Sequence, residues 1–265
     1  DREGRDPLAN QFDTFVQDWK RAHEVDLSFK LTVADMQNLL IGLQRWMEQI
    51  DLGIRATTSI DRPTLEREII DQLQERILDR FCEVVSDCQL VIFSDFNYGC
   101  LPQTLVEKLV LHGRSSGVMM AADSQSSSQV GDVSRFRGMQ LLTPTEHEAR
   151  VSLRNQQDGL VVLAEKLRED SQADNIILKL GSEGVLLHLE SPTGVAETDR
   201  IPALNLSPRD PTGGGDALLV ATAMAMAVGS TPWEASYIGA VAAAVQVSRT
   251  GNIPLTQVEL ISGIL

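Results

Sequence analysis

Residues 210–216 carry the clearest chemical pattern in the sequence, because two aspartates enclose a run of three glycines. Asp210 begins the segment, Gly213–Gly215 form what we call the glycine turn, and Asp216 precedes an apolar stretch over residues 217–228. Glycines that open a helix leave backbone N–H groups uncovered, and the helix dipole adds positive potential there. A carboxylate beside such a turn is able to deprotonate a hydroxyl while charge on a phosphoryl group is stabilised. The segment therefore predicts phosphoryl-transfer chemistry in preference to a helix cap with a glycine hinge.

Alternating strands and helices would position these residues. Strands are predicted for five short apolar runs, at residues 89–94, 118–122, 139–143, 175–180 and 184–189. Helices are predicted at residues 102–112, 145–153, 159–170, 213–229, 232–248 and 256–265. This alternation predicts an α/β fold in which a doubly wound, mostly parallel sheet carries helices on both faces. Such sheets bind ligands at the carboxyl ends of their strands, which makes Asp95 and Asp123 candidates to line a cleft.

The chain is predicted to divide near residue 60. Residues 1–60 are predicted to be helical, with apolar residues at three- and four-residue spacing from Met36 to Ile50, and to form an interaction or capping element. A long amphipathic helix should follow, from about Thr64 to Val85. Its apolar face is predicted to contain Ile69, Leu73, Ile77, Phe81 and Val84. Residues 61–265 would then form the α/β domain.

Composition excludes several classes of partner. Lys and Arg number 23 and Asp and Glu number 37, so the net charge is 23 − 37 = −14, which argues against a nucleic-acid or acidic membrane surface. A small phosphate ligand remains compatible with the net charge, because backbone N–H groups and a metal ion can hold it.

No apolar run has the roughly 18 residues of a membrane span, and no signal-peptide pattern is present. Three cysteines without disulfide or zinc spacing favour a cytoplasmic protein. Arg135, Arg137 and Arg150 could approach a phosphate, but solvated surface charges are the favoured interpretation.

Four further motifs accompany the glycine turn in chain order. They are Ser94–Gly99, Leu142–Ala149, Leu178–Val185 and Val247–Asn252. Together with Asp210–Asp216 they resemble the motifs of the PfkB, or ribokinase-like, carbohydrate kinases. The family patterns that correspond to the first three of these motifs are S-D-Y-x-K-G, T-P-N-x-x-E-A and T-x-G-x-x-G. The pattern that corresponds to Asp210–Asp216 is D-T-x-G-A-G-D. The resemblance covers about residues 61–265 and is strongest to the heptose-7-phosphate 1-kinase branch, so a ribokinase-like fold is expected.

The resemblance implies ATP-dependent phosphorylation of a sugar or sugar-phosphate hydroxyl, with a heptose 7-phosphate as the first candidate. Asp216 would be the catalytic base, and the N–H groups of Gly213, Gly214 and Gly215 would hold the transferred phosphoryl group. Glu148 would help to hold Mg²⁺, and Asp210 and Thr212 match a region that often binds a monovalent cation. No Walker-A motif is present.

Binding roles and partners follow from the same resemblance. The nucleotide would be bound by Thr145, Lys179, Gly181, Gly184, Gly251 and Asn252. The candidate sugar contacts are Asp95, Asn97 and Asp123; Asp95 and Asp123 are proposed from their places after strands, and each could instead only cap the next element. The expected partners are ATP and a small sugar or sugar phosphate, with a second copy of the chain or a fused nucleotidyltransferase domain as further possibilities.

The motifs differ from the family patterns at several positions. Thr145 stands where the pattern has Asn, and its side chain has a shorter reach and one fewer donor. Tyr98 replaces a Lys on the substrate side. Lys179 replaces a Thr on the nucleotide side, where its charge is able to pair with a phosphate. Pro211 and Gly214 are small departures at tolerant positions.

The sugar-binding half and lid of the family have no counterpart in residues 1–60. Three explanations remain open: the sequence omits that part, it is a fragment, or the protein has lost sugar binding. In the last case the chain would be a non-catalytic nucleotide-binding or scaffolding module of a larger assembly. A kinase is favoured over that alternative, because an inactive lineage has little reason to retain both the glycine turn and Asp216.

Overall fold

The structure, a computed structural model, describes residues 62–96, 99–124, 131–191 and 195–264, with side chains from residue 70 onward. The predicted helices of residues 1–60 and the candidate Asn97 lie outside the described residues.

Within these ranges the chain forms seven α-helices and six strands. The helices are α1 Arg62–Val84, α2 Gln103–Ser115, α3 Glu146–Leu153, α4 Leu160–Ser171, α5 Gly214–Ala227, α6 Pro232–Gln246 and α7 Gln257–Ile264. The strands are β1 Leu90–Asp95, β2 Met119–Ser124, β3 Leu141–Leu142, β4 Asn175–Lys179, β5 Val185–Leu189 and β6 Glu197–Ile201. In this part of the chain, no helix is long and apolar enough to cross a membrane.

The six strands form one mixed sheet in the order β1-β2-β3-β4-β5-β6. Strands β1 to β4 are parallel, as predicted, whereas β5 and β6 are antiparallel to their neighbours. The turn Gly181–Glu183 joins β4 to β5, and it is too short for the crossover that a parallel pair needs. Strand β6 was not predicted, because four of its five residues are exposed and polar and show no apolar pattern.

Helices cover both faces of the sheet, which confirms the predicted α/β architecture. Neighbouring residues of β4 point to opposite faces, so Ile176 and Leu178 join one apolar core while Ile177 joins the other. The first core includes Leu163 and other residues of α1, α2 and α4. The second core includes Leu218 and other residues of α5 and α6. Helix α5 is therefore held against the sheet by its own apolar side chains, and its first turn is fixed relative to the strands.

One residue predicted for the apolar face of α1, Ile77, does not lie on the face that packs against the sheet. Ile77 is 43% exposed, whereas Leu78 and Phe81 pack against the first core and Val85 is buried. Leu78, Phe81 and Val85 are spaced by three and four residues, which is the spacing of one helix face. The prediction used Ile77 and Phe81, which are also four residues apart, and the sequence alone did not distinguish the two sets.

Helices α5 and α6 approach each other closely at Gly239. A Cβ atom at this position would lie 2.0 Å from Thr222 Oγ1 and 2.9 Å from the carbonyl oxygen of Leu218. Only a glycine fits between the two helices here, so the residue type sets their separation.

A buried histidine joins the sheet to α4. His188 on β5 is buried, its Nε2 contacts Glu165 Oε2, and its Nδ1 lies 2.8 Å from Thr198 Oγ1. The bond with His188 is the main reason that the pKa of Glu165 lies below its usual range. Ionised Glu165 therefore stabilises the fold.

We expect Glu165→Gln to lower the free energy of unfolding by about 1 kcal/mol at pH 7, since the carboxylate is partly exposed and its charged hydrogen bond is partly screened. Because the folded pKa is depressed, the stabilisation is full above the unfolded pKa of about 4.3 and is lost as pH falls through the folded pKa. Urea denaturation at pH 7 and at a series of pH values below about 4.3 should show a difference from wild type that shrinks only in the acid range. Glu169→Gln, on the exposed face of the same helix, is the control, and an equal loss at all pH values would contradict this account.

Candidate active site

The carboxyl ends of the parallel strands gather several predicted residues at one side of the sheet. Asp95 is the last residue of β1 and Lys179 the last of β4, while Asp123 lies one residue before the end of β2. The backbone N–H of Lys179 donates to the carbonyl oxygen of Pro144 at 2.8 Å, and Lys179 forms a bridge pair with Thr145. The predicted sites on β1, β2 and β4 and on the loop after β3 therefore converge, as parallel strands require.

The glycine turn opens α5 as predicted. Gly213 is the N-cap with φ +78°, a left-handed conformation that favours glycine. The first helical hydrogen bond runs from the N–H of Ala217 to the carbonyl oxygen of Gly213 at 2.9 Å. The N–H of Gly214 donates to Pro211 at 3.2 Å, so it serves the turn itself. The N–H groups of Gly215 and Asp216 precede the first helical bond and lie where an anion binds a helix.

Lys179 connects the strand ends to the glycine turn. Its Nζ lies 2.5 Å from Asp123 Oδ2, and the two side chains are 15% and 4% exposed. The same Nζ would lie 3.2 Å from a Cβ atom built on Gly215. The ammonium group therefore lies between a buried carboxylate of β2 and the first turn of α5.

The electrostatics of the site are dominated by carboxylates in a poorly hydrated environment. Burial raises the pKa of Asp123 to about 6, although Lys179 acts in the opposite direction; the charges of Glu148 and Asp216 raise it further. Burial also raises the pKa of half-buried Asp216, and Lys179 again opposes the shift. Asp123 therefore lies within electrostatic reach of two other carboxylates, Glu148 and Asp216, and of one lysine.

Thr145 and Glu148 form a capping box at the start of α3. The N–H of Glu148 donates to Thr145 Oγ1 at 3.2 Å, and the N–H of Thr145 donates to Glu148 Oε2 at 2.7 Å. The Thr that stands in place of the family's Asn is therefore a helix cap, and a Thr-x-x-Glu pattern is itself the signal for this motif. The nucleotide role of Thr145 and the metal role of Glu148 stay predictions.

Asp210 joins the loop before α5 to the loop after α6. Its Oδ1 accepts the N–H of Thr212 at 2.9 Å, and its Oδ2 accepts the N–H of Gly251 at 2.8 Å. Hydrogen bonds from Thr212 and Gly251 hold the pKa of Asp210 below its usual value. The side chain of Asn252 also lies against the start of α5, because its Oδ1 would be 2.2 Å from a Cβ atom built on Gly213. The candidate cation residues and the candidate nucleotide loop thus form one connected unit.

Gln246 reinforces this connection and was missed in the sequence. It is buried, and its Nε2 donates to the carbonyl oxygens of Thr212 at 3.3 Å and Gly251 at 3.2 Å. Its Oε1 accepts a bond from Arg249 Nη2 at 2.8 Å. The available signal was a single amide at the end of α6, directly after the apolar residues 238–245, because a buried amide side chain needs hydrogen-bond partners.

Gly181 and Gly184 shape the turn that follows Lys179. Both have positive φ angles, +62° and +90°. A Cβ atom on Gly184 would lie 2.1 Å from the carbonyl oxygen of Ile201, whereas nothing lies within 4 Å of one on Gly181. Gly184 is therefore required for backbone packing between the β4–β5 turn and the end of β6, and a nucleotide role for either glycine stays a prediction.

Asp95 is ion-paired with a residue that the sequence analysis assigned to the surface. Arg135 Nη2 lies 2.6 Å from Asp95 Oδ2, and Arg135 Nη1 donates to the carbonyl oxygen of Leu101 at 2.8 Å. The guanidinium carbon also lies 4.5 Å from the ring centroid of Phe136. The Arg135 side chain is 16% exposed, so the expectation of a solvated charge was wrong. Its partners are distant in sequence, which is why the local pattern did not reveal them.

Arg135→Met should lower the free energy of unfolding by about 3 kcal/mol, because it removes the ion pair that Arg135 makes with the buried carboxylate of Asp95. Arg137→Met is the matched control, since Arg137 is 59% exposed and 3.8 Å from Asp170; its effect should stay within about 0.5 kcal/mol. Urea denaturation measures both changes. Similar small losses in the two variants would show that the Asp95 pair does not stabilise the fold.

The comparison with family models identifies the family of the chain. The model described as the pfkB family carbohydrate kinase matches residues 65–258, well over half of the chain. The chain belongs to this family. The matched residues of the pfkB domain include the strand ends, the glycine turn, Asp216 and the loop at Gly251–Asn252.

Named relatives of this pfkB chain agree with the assignment. It is 28% identical over 209 residues to bifunctional protein HldE of Geotalea uraniireducens, covering 77% of this chain and 41% of that protein. It is 30% identical over 193 residues to bifunctional protein HldE of Shewanella piezotolerans, covering 72% of this chain and 38% of that protein. The chain therefore spans about two fifths of the length of these relatives.

Solved structures support the ribokinase-like fold of the pfkB domain. Phosphofructokinase-2 from Escherichia coli in complex with potassium superposes with a TM-score of 0.60 at 13% identity, covering 71% of this chain and 60% of that one. Ribokinase of Arabidopsis thaliana complexed with ribose and ATP gives a TM-score of 0.58 at 18% identity, covering 70% of this chain and 59% of that one. The predicted fold is confirmed.

Proposed function

We propose that this chain contributes the phosphoryl-transfer site of an ATP-dependent kinase that phosphorylates a hydroxyl of a sugar or sugar phosphate. The observation that carries the proposal is the half-buried carboxylate of Asp216 in the first turn of α5, directly after the glycine turn. Membership of the pfkB family supports it. The non-catalytic alternative is not favoured, because the glycine turn keeps its helix-opening geometry.

In this mechanism, Asp216 takes the proton of the sugar hydroxyl. The hydroxyl oxygen forms a bond to the γ-phosphorus as the bond to the oxygen of the leaving ADP breaks. The N–H groups of Gly215 and Asp216 stabilise charge on the phosphoryl oxygens. The raised pKa of Asp216 suits this role, because a carboxylate base becomes more effective as its pKa approaches the working pH.

The carboxylates of the site fit a magnesium ion that travels with ATP. Mg²⁺ usually keeps several waters and takes one or two protein carboxylates in addition to phosphate oxygens. One carboxylate oxygen of Glu148 already accepts a hydrogen bond from the N–H of Thr145, which favours a water-mediated contact between Glu148 and the magnesium ion. The described residues contain no group of three His, Cys, Asp or Glu side chains arranged around a metal, so phosphates and water would complete the coordination. The bound ion would neutralise phosphate charge.

We keep Asp210 and Thr212 as the predicted residues of a monovalent-cation site. Both carboxylate oxygens of Asp210 accept backbone N–H groups, so the side chain would shape the loop while backbone carbonyls bind the cation. We also keep Gly181, Gly184, Gly251 and Asn252 as predicted nucleotide contacts.

A heptose 7-phosphate is the substrate that we propose first. The HldE relatives and the Ser94–Gly99 segment support it. A fused nucleotidyltransferase domain and a homodimer are proposed as partners, and the word bifunctional in the names of the HldE relatives supports the fusion.

A coupled ADP-release assay on the full-length protein tests this function with heptose 7-phosphate, ribose and fructose. We expect turnover with heptose 7-phosphate and weaker or no turnover with the other two. Calorimetry with Mg·ATP and each sugar accompanies the assay. Binding of Mg·ATP without sugar binding or turnover would contradict the proposal and support the scaffolding alternative.

A further inference from the structure

We infer that Asp123 and Lys179 act as a unit: Asp123 holds the Lys179 ammonium against the glycine turn, where it contacts the transferred phosphoryl group next to Asp216. In this assignment Lys179 is a catalytic residue and Asp123 is a positioning residue, not a sugar contact as the sequence analysis predicted. The inference rests on the proposed phosphoryl transfer. It goes further by giving the site its own fixed positive charge.

The Lys179 ammonium group lies between Asp123 and the glycine turn. Lys179 Nζ is 2.5 Å from Asp123 Oδ2 on one side and beside the Cα of Gly215 on the other. An ammonium has three N–H donors, so a single carboxylate oxygen uses one of them. The group is thus able to bind a phosphoryl oxygen in the glycine turn without leaving Asp123.

Burying the Asp123–Lys179 ion pair costs free energy. Both side chains are largely withdrawn from water, at 15% and 4% exposure. The attraction within a buried ion pair is often no larger than the cost of removing its charges from water, so such a pair is weak evidence for a purely stabilising role. Lys179 also replaces the Thr of the matching family motif, which is uncharged and shorter. A functional use of the charge accounts for a residue that packing alone does not require.

Asp216 is partly buried and lies within electrostatic reach of Lys179. Burial raises the pKa of Asp216, and Lys179 is the charge that lowers it. Loss of this positive charge would favour the protonated form of Asp216, which is unable to accept a proton from a hydroxyl. Lys179 is therefore the group that keeps the proposed base in its active form.

The pKa of Asp216 in the full chain is the first test, and it needs no turnover. Carbon-13 NMR of labelled aspartate carboxyls would follow Asp216 in the wild type and in Lys179→Met, Lys179→Gln and Lys179→Arg. We expect both neutral variants to raise the pKa of Asp216 by about one unit, and the Arg variant to restore it. Lys166→Met is the matched control, because Lys166 pairs with Asp158 at 2.6 Å on the surface. An unchanged pKa of Asp216 in both neutral variants would overturn the inference.

A double-mutant cycle on kcat is the second test. We expect Lys179→Met to lower kcat by about 100-fold and Asp123→Asn by about 10-fold, with the double variant no slower than Lys179→Met alone. If the loss in kcat of the double variant equalled the product of the two single losses, Asp123 would act on the substrate directly, and its positioning role would be overturned. Absence of turnover in the wild type would instead overturn the proposed function, and the NMR result would still decide whether Lys179 controls the ionisation of Asp216.

Discussion

Asp216→Asn should lower kcat by about 1,000-fold while the affinity for ATP stays within a few fold of wild type. The amide has nearly the same size and keeps the first turn of α5, but it is unable to accept a proton. The loss should therefore fall on the chemical step. In the wild type, kcat should rise with pH as Asp216 ionises, and burial places the midpoint above the usual aspartate range.

The ADP-release assay and calorimetry together check this result. Asp170→Asn is the control, because Asp170 is 46% exposed on α4 and lies outside the site; its kcat should be unchanged. If Asp216→Asn kept kcat within tenfold of the wild type, the base would have to be another group. A pH profile that is unchanged in the Asn variant would lead to the same conclusion.

Gly184→Ala should lower the free energy of unfolding by about 4 kcal/mol, in the range of the most damaging single substitutions. The residue has φ +90° and ψ −132°, a combination that side chains rarely adopt. Its new Cβ would also lie 2.1 Å from the carbonyl oxygen of Ile201 and 2.6 Å from the nitrogen of Ala203. These are backbone atoms, so relief requires movement of the chain after β6.

Gly181→Ala is the matched control in the same turn. Gly181 has φ +62° and open space around the Cβ position, so alanine should cost only about 1–2 kcal/mol for the left-handed backbone. Urea denaturation of both variants measures the difference. Equal losses would show that the contact with Ile201 is not tight in solution.

The sequence predicted the parts of the fold in which local pattern and tertiary role coincide. Strands β2 to β4 are apolar because they lie inside the described sheet and are largely buried, and the glycine turn is recognisable because three consecutive glycines are rare at the start of a helix. Strand β6 was not predictable, since its exposed residues Glu197–Arg200 have no apolar side chain to mark a face. The antiparallel direction of β5 could have been deduced from the length of the Gly181–Glu183 turn alone.

The connections within the site were less predictable than its members. Asp123 and Lys179 were both candidates, but they are 56 residues apart, and nothing local indicates that they pair with each other. Arg135 and Asp95 are 40 residues apart and were assigned to different environments for the same reason. Residue type indicates what chemistry a side chain is capable of, whereas its partner is determined by which strand ends lie side by side.

The sequential order of the strands has a consequence for how the protein folds. Each strand pairs with its neighbour in the chain, so the sheet can grow from β1 to β6 through contacts of short sequence separation, which favours fast folding. During synthesis Asp95, Asp123 and Lys179 are made before Asp216, which follows the last strand. The site is thus completed only when α5 packs on a finished sheet, so a nascent chain that stops after β6 has the strand-end residues but no base.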